Sequence, residues 1–336
     1  MEEPAMEEEK KYVFGFGFAD SLVAETGGVT MRQMHFDAKA IVKAFNSIKP
    51  LAERLGVPAP VPRMAGFGYP HVSTLGSEIV FPENSEPKPE IVIKTPGDIN
   101  RLREPEDYLE TSLVKKKLAV LQELQKYCPD TPKFIGHPME GPVTTAVLLM
   151  GQNFLTLPYD DPKRAHKLLS FCTESAINYA NAISSHFGEP VVPGPKGMPD
   201  DFAGMFPPAL FGEFVVPYWE RIYTGMQATE RYLHSELLRK EHLRFLKGLH
   251  IKSYDPSADQ YVTPEMLAAH CPCEFTLRIQ SWDIDNLSAE ELVKRYIHLQ
   301  KQGPRAVSFY MNSMNEEQKI RKLLEIARKM EGQGNE

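Results

Sequence analysis

RYLHSELLRKEHLRFLKGLHIKSYDPSADQYVTPEMLAAHCPCEFTLRIQSW, residues 231 to 282, decides the fold. The extended runs RYLHSE, HIKSYDPSA and EFTLRIQSW alternate with the helical patterns LLRKEHLRFLKGL and TPEMLAAHC. The alternation continues through the helix SAEELVKRYIHLQKQG, the strand AVSFYMNS and the helix EEQKIRKLLEIARKM. Strands separated by single helices pair in parallel, with each helix crossing over one face of the sheet. Four such units in succession predict an α/β fold, a (β/α)8 TIM barrel, with a doubly wound open sheet as the competing arrangement.

Upstream the pattern is looser. DPKRAHKLLSFCTESAINYANAISSHFG reads as a long helix opened by Asp161 and Pro162 and closed by Gly188. KFIGHPMEGP reads as a short strand and turn, TTAVLLMG as a buried helix, and PVVPGPKGMPDDFAG as a strand running into a loop rich in Gly and Pro. Met34, Ala38, Ile41, Val42, Phe45, Ile48 and Leu51 recur at helical spacing, which predicts one amphipathic helix from Met31 to Leu55. KYVFGFGF, from Lys11 to Phe18, suggests a strand or an anchoring arm. Residues 1 to 30 are expected to form an N-terminal tail and extension, and residues 31 to 336 the single barrel domain. Neither Gly15-Phe16-Gly17 nor Gly66-Phe67-Gly68 continues into a dinucleotide fingerprint.

Composition bounds the function. With 336 residues, 42% hydrophobic and 25% charged, the chain can bury a large core. A formal charge of −7 without a basic run argues against nucleic acid as a partner. The most apolar stretch, Val143 to Met150, is far short of the roughly 18 residues of a membrane span. Four scattered cysteines and an acidic start, MEEPAMEEEKK, lead to the expectation of a cytoplasmic protein. Lys115-Lys116-Lys117 reads as part of a solvated helix face. Cys271-Pro272-Cys273 precedes a strand, at the entrance end of a barrel, and reads as structural or incidental thiols rather than a metal site.

In a parallel barrel the strand exits carry the chemistry. The predicted exits hold Tyr69 and His71, His137 and Glu140, Asp200 and Asp201, His234 and Glu236, Asp255, Gln280 and Asn312. His234 and Glu236 lie two apart on an extended segment, so both can face one divalent ion, with Asp255 from the next strand as a third ligand. The competing reading pairs His234 and Glu236 with each other or with Arg231 or Arg239, and makes Asp255 a turn cap. His137 and Glu140 are candidates for orienting a substrate or acting as acid and base, or for bracing a turn. Asp201 is a polar cavity residue or a helix cap.

The segments LGSEIVFPE (75 to 83), TPGDINRLREPE, GPVTTAVLLMG (141 to 151), DDPKRAHKLLSFCTE, DDFAGMFPPALFGEFVVPYWERI (200 to 222) and YLHSE, in this order and spacing, resemble the uroporphyrinogen decarboxylase superfamily. The resemblance implies a (β/α)8 barrel. It also implies one of two activities: porphyrinogen decarboxylation, or zinc-dependent methyl transfer involving a corrinoid protein. The arginine-rich N-terminal motif of the decarboxylases has no counterpart here. In the methyltransferase branch zinc is held by His-x-Cys, an acidic residue and a second Cys. The matching places here are His234, Glu236 for the first Cys, Asp255, and Asn312 or Ser313 for the second. An oxygen and nitrogen set makes zinc a harder Lewis acid suited to an oxygen substrate. The resemblance thus implies an O-demethylase component: a methyltransferase moving methyl from a methoxylated, aromatic donor to the cob(I)alamin of a corrinoid-binding partner. Zinc and the partner's cobalamin are its cofactors, and it leaves room for a homodimer. Tyr69, His71, Phe202, Gln280 and Asn312 would contact the substrate, with Phe206 and Trp282 walling an aromatic pocket. Transfer to a thiol or folate, decarboxylation, and a metal-free binding barrel are the alternatives.

Overall fold

In the computed structural model, residues 12–136, 139–257 and 259–333 are described. The strands are β1 (Phe14–Phe18), β2 (Ile79–Val80), β3 (Lys88–Pro89), β4 (Gly194–Pro199), β5 (Ala228–His234), β6 (Ile251–Asp255), β7 (Glu274–Arg278) and β8 (Ala306–Met311). The short β2 and β3 form a separate antiparallel ladder, and the other six form one sheet in the order β1-β8-β7-β6-β5-β4. Every pairing within it is parallel. All six strands therefore exit at the same edge. Register then sets neighbours there: His234, the last residue of β5, lies opposite Pro199 of β4 and Asp255 of β6. In β8 the side chains of Val307, Phe309 and Met311 are buried, while Ala306, Ser308 and Tyr310 are more exposed, the period-two pattern of a strand with unlike faces.

Of the strand and the anchoring arm expected for residues 11–18, the strand is found: β1 pairs with β8 over its whole length, Phe16 opposite Phe309, so the first strand meets the last. The eight expected strands are six regular ones. The segments 63–68 and, within KFIGHPMEGP, 134–136 and 139–141 are irregular, since Pro60, Pro62, Pro132 and Pro142 remove ladder donors. Both segments nevertheless occupy the open side of the arc. Asp20, just past the exit of β1, accepts from Gly66 N (2.9 Å) and from Arg63 Nη2 (2.9 Å). At the other edge Gly141 N donates to Pro199 O, at the exit of β4 (2.6 Å). Between them, Gly136 packs on Gly66, whose carbonyl oxygen would lie 3.3 Å from a Cβ at position 136. Its φ of +121° is another reason for glycine there. β4 itself was expected as a loop because of its Gly and Pro; the ring nitrogens of Pro195 and Pro199 are tolerated because no regular ladder forms on that side.

Helices surround the sheet. The predicted helix 31–55 is interrupted at Asp37, whose carboxylate accepts from Lys39 N and Ala40 N and so caps a new helix, Ala38–Leu55. Ile41, Phe45, Ile48 and Leu51 are its buried stripe. Pro162–His186 begins as expected on an Asp161 cap. Asp200, fully buried, accepts from Thr144 N (2.7 Å), Val143 N (3.3 Å) and Trp219 Nε1 (2.6 Å). It thereby fastens the β4 exit to the start of the helix Pro142–Met150 and to the helix Val216–Gly225. No helix among the described residues is long and apolar enough to cross a membrane.

The lysine run 115–117 is not uniformly solvated. Successive helical residues rotate by about 100°, so Lys117 shares the buried face of Val114, Leu121 and Leu124 in the helix Ser112–Tyr127. Its amine is 3.4 Å from His35 Nδ1 and lies beside the Phe36 and Phe81 rings. Burial lowers it to about 7. An unfolded lysine titrates near 10.4. Between those values the unfolded chain binds a proton that the native chain does not, so this group costs stability increasingly as pH falls from about 10 to about 7. Lys117→Met is expected to raise the denaturation midpoint, with a larger gain at pH 7 than at pH 10. A gain independent of pH would contradict a neutral native amine.

Candidate active site

The strand exits gather a chain of imidazole and carboxylates. His234 Nδ1 donates to Asp255 Oδ2 at 2.9 Å. On the far side of the ring, Nε2 is 3.4 Å from Asp201 Oδ1. Asp255 is itself held firmly: Oδ1 accepts from Thr276 Oγ1 and from Ser257 N, both at 2.9 Å, and Arg278 Nη2 approaches Oδ2 at 3.7 Å. Burial favours the neutral acid, but the His234 hydrogen bond and charge, the Ser257 amide and Arg278 outweigh it and hold Asp255 at about 2. For His234, burial opposes protonation; the Asp255 hydrogen bond and the charges of Asp201, Asp255 and Glu236 prevail and raise its pKa. The imidazole is thus a preferred home for positive charge.

A second group lies within reach of the Asp201 charge. Glu140 is 8% exposed, and burial, followed by the charges of Asp201 and Asp200, pushes its carboxyl up to about 8. It is a neutral acid at pH 7. Tyr69 faces the same carboxylates: burial first, then Glu140, Glu86 and Asp201, push its phenol up to about 12. Its φ of +46° puts a bulky residue in the left-handed region, a strained conformation. Phe67, Gly68, Tyr69, His71, Met139 and Glu140 line a cavity of about 10 Å³, space for one water at most.

Several expected site residues have other roles. His71 is buried in the wall: Nε2 is 3.1 Å from Ser175 Oγ, its ring packs on Tyr179, and burial lowers its pKa to about 3. Phe206 is fully buried, edge-on to Phe154, and lines no pocket at the mouth. Phe202 is half-buried, and its N–H donates to Thr144 Oγ1. Gln280 Nε2 donates to Ser257 O (2.7 Å), tying the β7 exit to the β6 exit. Asn312 forms a turn, its N–H donating to Glu316 Oε2 and its Nδ2 to Tyr310 O. His137 lies outside the described residues. Trp282 is 53% exposed at the β7 exit. Thr276 and Arg278 are the site residues the sequence reading missed. Their signal was the alternation of β7, where Phe275 and Leu277 are buried and the intervening positions are polar.

The metal set expected from the sequence, His234, Glu236 and Asp255, does not form as a cluster. Among the described residues no three His, Cys, Asp or Glu side chains gather where one ion could be held. Asp255 has both oxygens engaged, one on the ring of His234 itself. A two-ligand edge is present instead. Asp201 Oδ1 is buried without a hydrogen-bond partner, and its 3.4 Å separation from His234 Nε2 matches the donor-to-donor edge of a tetrahedral zinc site with bonds of about 2.0–2.1 Å. The charge of Glu236 acts on both of these residues.

The chain was compared with known proteins. The sequence profile described as uroporphyrinogen decarboxylase (URO-D) matches residues 23–263. Among solved structures, a methyltransferase from Methanosarcina mazei is similar, with a TM-score of 0.70 over 97% of this chain and 95% of that chain at 15% sequence identity, a likeness of fold. A search of curated proteins finds no significant match. Since the profile spans well over half of the chain, from the helix after β1 to beyond the β6 exit, the protein belongs to the uroporphyrinogen decarboxylase family.

Proposed function

We propose that this protein is a corrinoid-linked methyltransferase that takes a methyl group from a methoxylated, aromatic donor and passes it to the cob(I)alamin of a partner corrinoid protein. The observation that carries the reading is the imidazole of His234 held between Asp255 and Asp201, with a neutral carboxyl, Glu140, nearby. Donors here are oxygen and nitrogen, and the paired thiols of the chain stand at the opposite end of β7. That set suits activation of an oxygen leaving group better than of a thiol. A porphyrinogen with several carboxylates would meet the carboxylates of Asp201, Glu236 and Asp255, an unfavourable charge balance even with Arg278 and the imidazole of His234 beside them. We read the six strands with the segments 63–68 and, on either side of residues 137 and 138, 134–136 and 139–141 as the eight staves of a (β/α)8 barrel.

Zinc, held by His234 Nε2 and Asp201 Oδ1 with Glu236 beside them, would supply a Lewis acid for the ether oxygen of the donor. Asp255 accepts a hydrogen bond from the Nδ1–H of His234, which fixes the tautomer and leaves Nε2 facing Asp201. Glu140 holds a proton at neutral pH that it can give to the departing oxygen of the donor. Met205, Tyr261, Trp282 and Met314, each exposed by 40% or more, stand on the loops and short helices that follow the strand exits. They give the mouth an apolar rim suited to a large partner.

Mixing the protein with reduced cob(I)alamin and a methoxyarene is expected to yield methylated corrinoid and the phenol, followed by visible absorbance, with at least a roughly 100-fold loss in His234→Ala. No transfer from any methoxyarene, in protein with zinc bound, would reject the donor class. Asp255→Asn should weaken zinc about 10- to 100-fold in chelator competition while the fold is retained; unchanged affinity would remove Asp255 from the site.

Glu140 gives a pH signature. The native carboxyl titrates near 8 and an unfolded glutamate near 4.3, so the native chain keeps a proton that the unfolded chain releases in that window. Its contribution to stability therefore falls as pH rises from about 4.5 to about 8. Glu140→Gln should stabilise the protein more at about pH 8.5 than at about pH 5 in urea denaturation. An equal effect at both would mean an ionised native carboxylate.

A further inference from the structure

Cys271 and Cys273 lie outside the site just described and are closer to each other than incidental thiols need be. Cys271 closes the helix Pro264–His270, its N–H donating to Leu267 O, and Cys273 leads directly into β7. Their sulfurs are 3.7 Å apart, in van der Waals contact and within reach of an S–H···S hydrogen bond. Both are partly exposed, whereas Cys172 is fully buried. Pro272 between them has a fixed φ and no N–H, so the loop can hold the two side chains together with no amide hydrogen bond of its own to break. We propose that Cys271 and Cys273 are a reversible dithiol, oxidised to an intrachain disulfide by small-molecule disulfides of the glutathione class.

The environment gives the two thiols unequal roles. The hydrogen bond from Cys273 lowers the Cys271 thiol against the effect of burial, while holding that bond, and burial, push Cys273 up. Cys271 is the first to ionise and attacks the external disulfide; one thiolate leaves and a mixed disulfide forms on Cys271. Cys273 gives its proton to the departing thiolate and attacks the Cys271 sulfur, releasing the second external thiol. Two protein thiols are oxidised and one external disulfide is reduced to two thiols. The pair sits at the entrance of β7, and Thr276 and Arg278, which hold Asp255, follow in the same strand.

The full-length protein, equilibrated in glutathione buffers of increasing oxidised fraction, acid-quenched, alkylated and digested, tests this. The peptide carrying both cysteines should lose two hydrogens and escape alkylation, while Cys172 remains a thiol. Cys273→Ser should accumulate a glutathione adduct on Cys271, and Cys271→Ser should form its adduct about tenfold more slowly at neutral pH. Persistence of both thiols in the most oxidising buffer, disulfides only between chains, or equal adduct rates in the two variants would overturn the proposal.

Discussion

The hydrogen bond from His234 to Asp255 is the constraint on which the site depends, and it follows from register. Two parallel neighbours, β5 and β6, end at the same level, so their last residues face each other across one strand spacing. A slip of one residue would turn the imidazole or the carboxylate to the opposite face of the sheet. Asp255 cannot swing away to another partner because Thr276, the Ser257 amide and Arg278 already hold it. The ring is therefore oriented before any ligand arrives, and Nε2 is aimed at Asp201. Preorganisation of this kind comes from the pairing of the sheet.

Crowding carboxylates at one end of a sheet has an electrostatic cost, and the protein distributes it unequally. Asp255 stays ionised because donors and a cation surround it; Glu140, buried with Asp200 and Asp201 as its charged neighbours, keeps its proton. Like charges in a low-dielectric setting push such pairs apart in pKa. One carboxyl then orients a base and another can donate a hydrogen bond or a proton, without any change of residue type. Asp200 completes the division. Three N–H donors hold it at about 6 against full burial, so it serves the fold and not the mouth.

Much of the fold was legible because alternation is strong where single helices separate strands, as from Tyr232 to Met311. The strand exits His234 and Asp255 followed from it, as did the position of Cys271 and Cys273 before β7. Composition misled at β4, where Gly194, Pro195 and Pro199 look like loop, because a strand with one regular ladder tolerates prolines that two would reject. His71 was placed at a mouth it does not reach, since a helix, Pro70–Thr74, starts where a strand was expected to end and carries the imidazole into the core. Thr276 escaped notice because a threonine in a strand is unremarkable by type. Asp201 was legible as a residue of the site, but not as the neighbour of His234 Nε2. That contact depends on the chain reversing at Asp200, whose buried hydrogen bonds no local pattern announces.

The regular and irregular parts of the ring contribute different chemistry, for a backbone reason. β5, β6 and β7 pair in parallel register, so their ends present His234, Asp255, and Thr276 with Arg278 at set heights, and in β7 buried and polar positions alternate. The segments 63–69 and 139–141 are free of that alternation. Tyr69 can adopt φ +46° and Glu140 can turn its carboxyl inward beside Gly141, where a Cβ would collide with the Asp200 side chain 2.4 Å away. Burial of Glu140, and hence its retained proton, depends on that close approach. The ordered strands thus supply the oriented imidazole, and the proline- and glycine-broken segments supply the neutral acid.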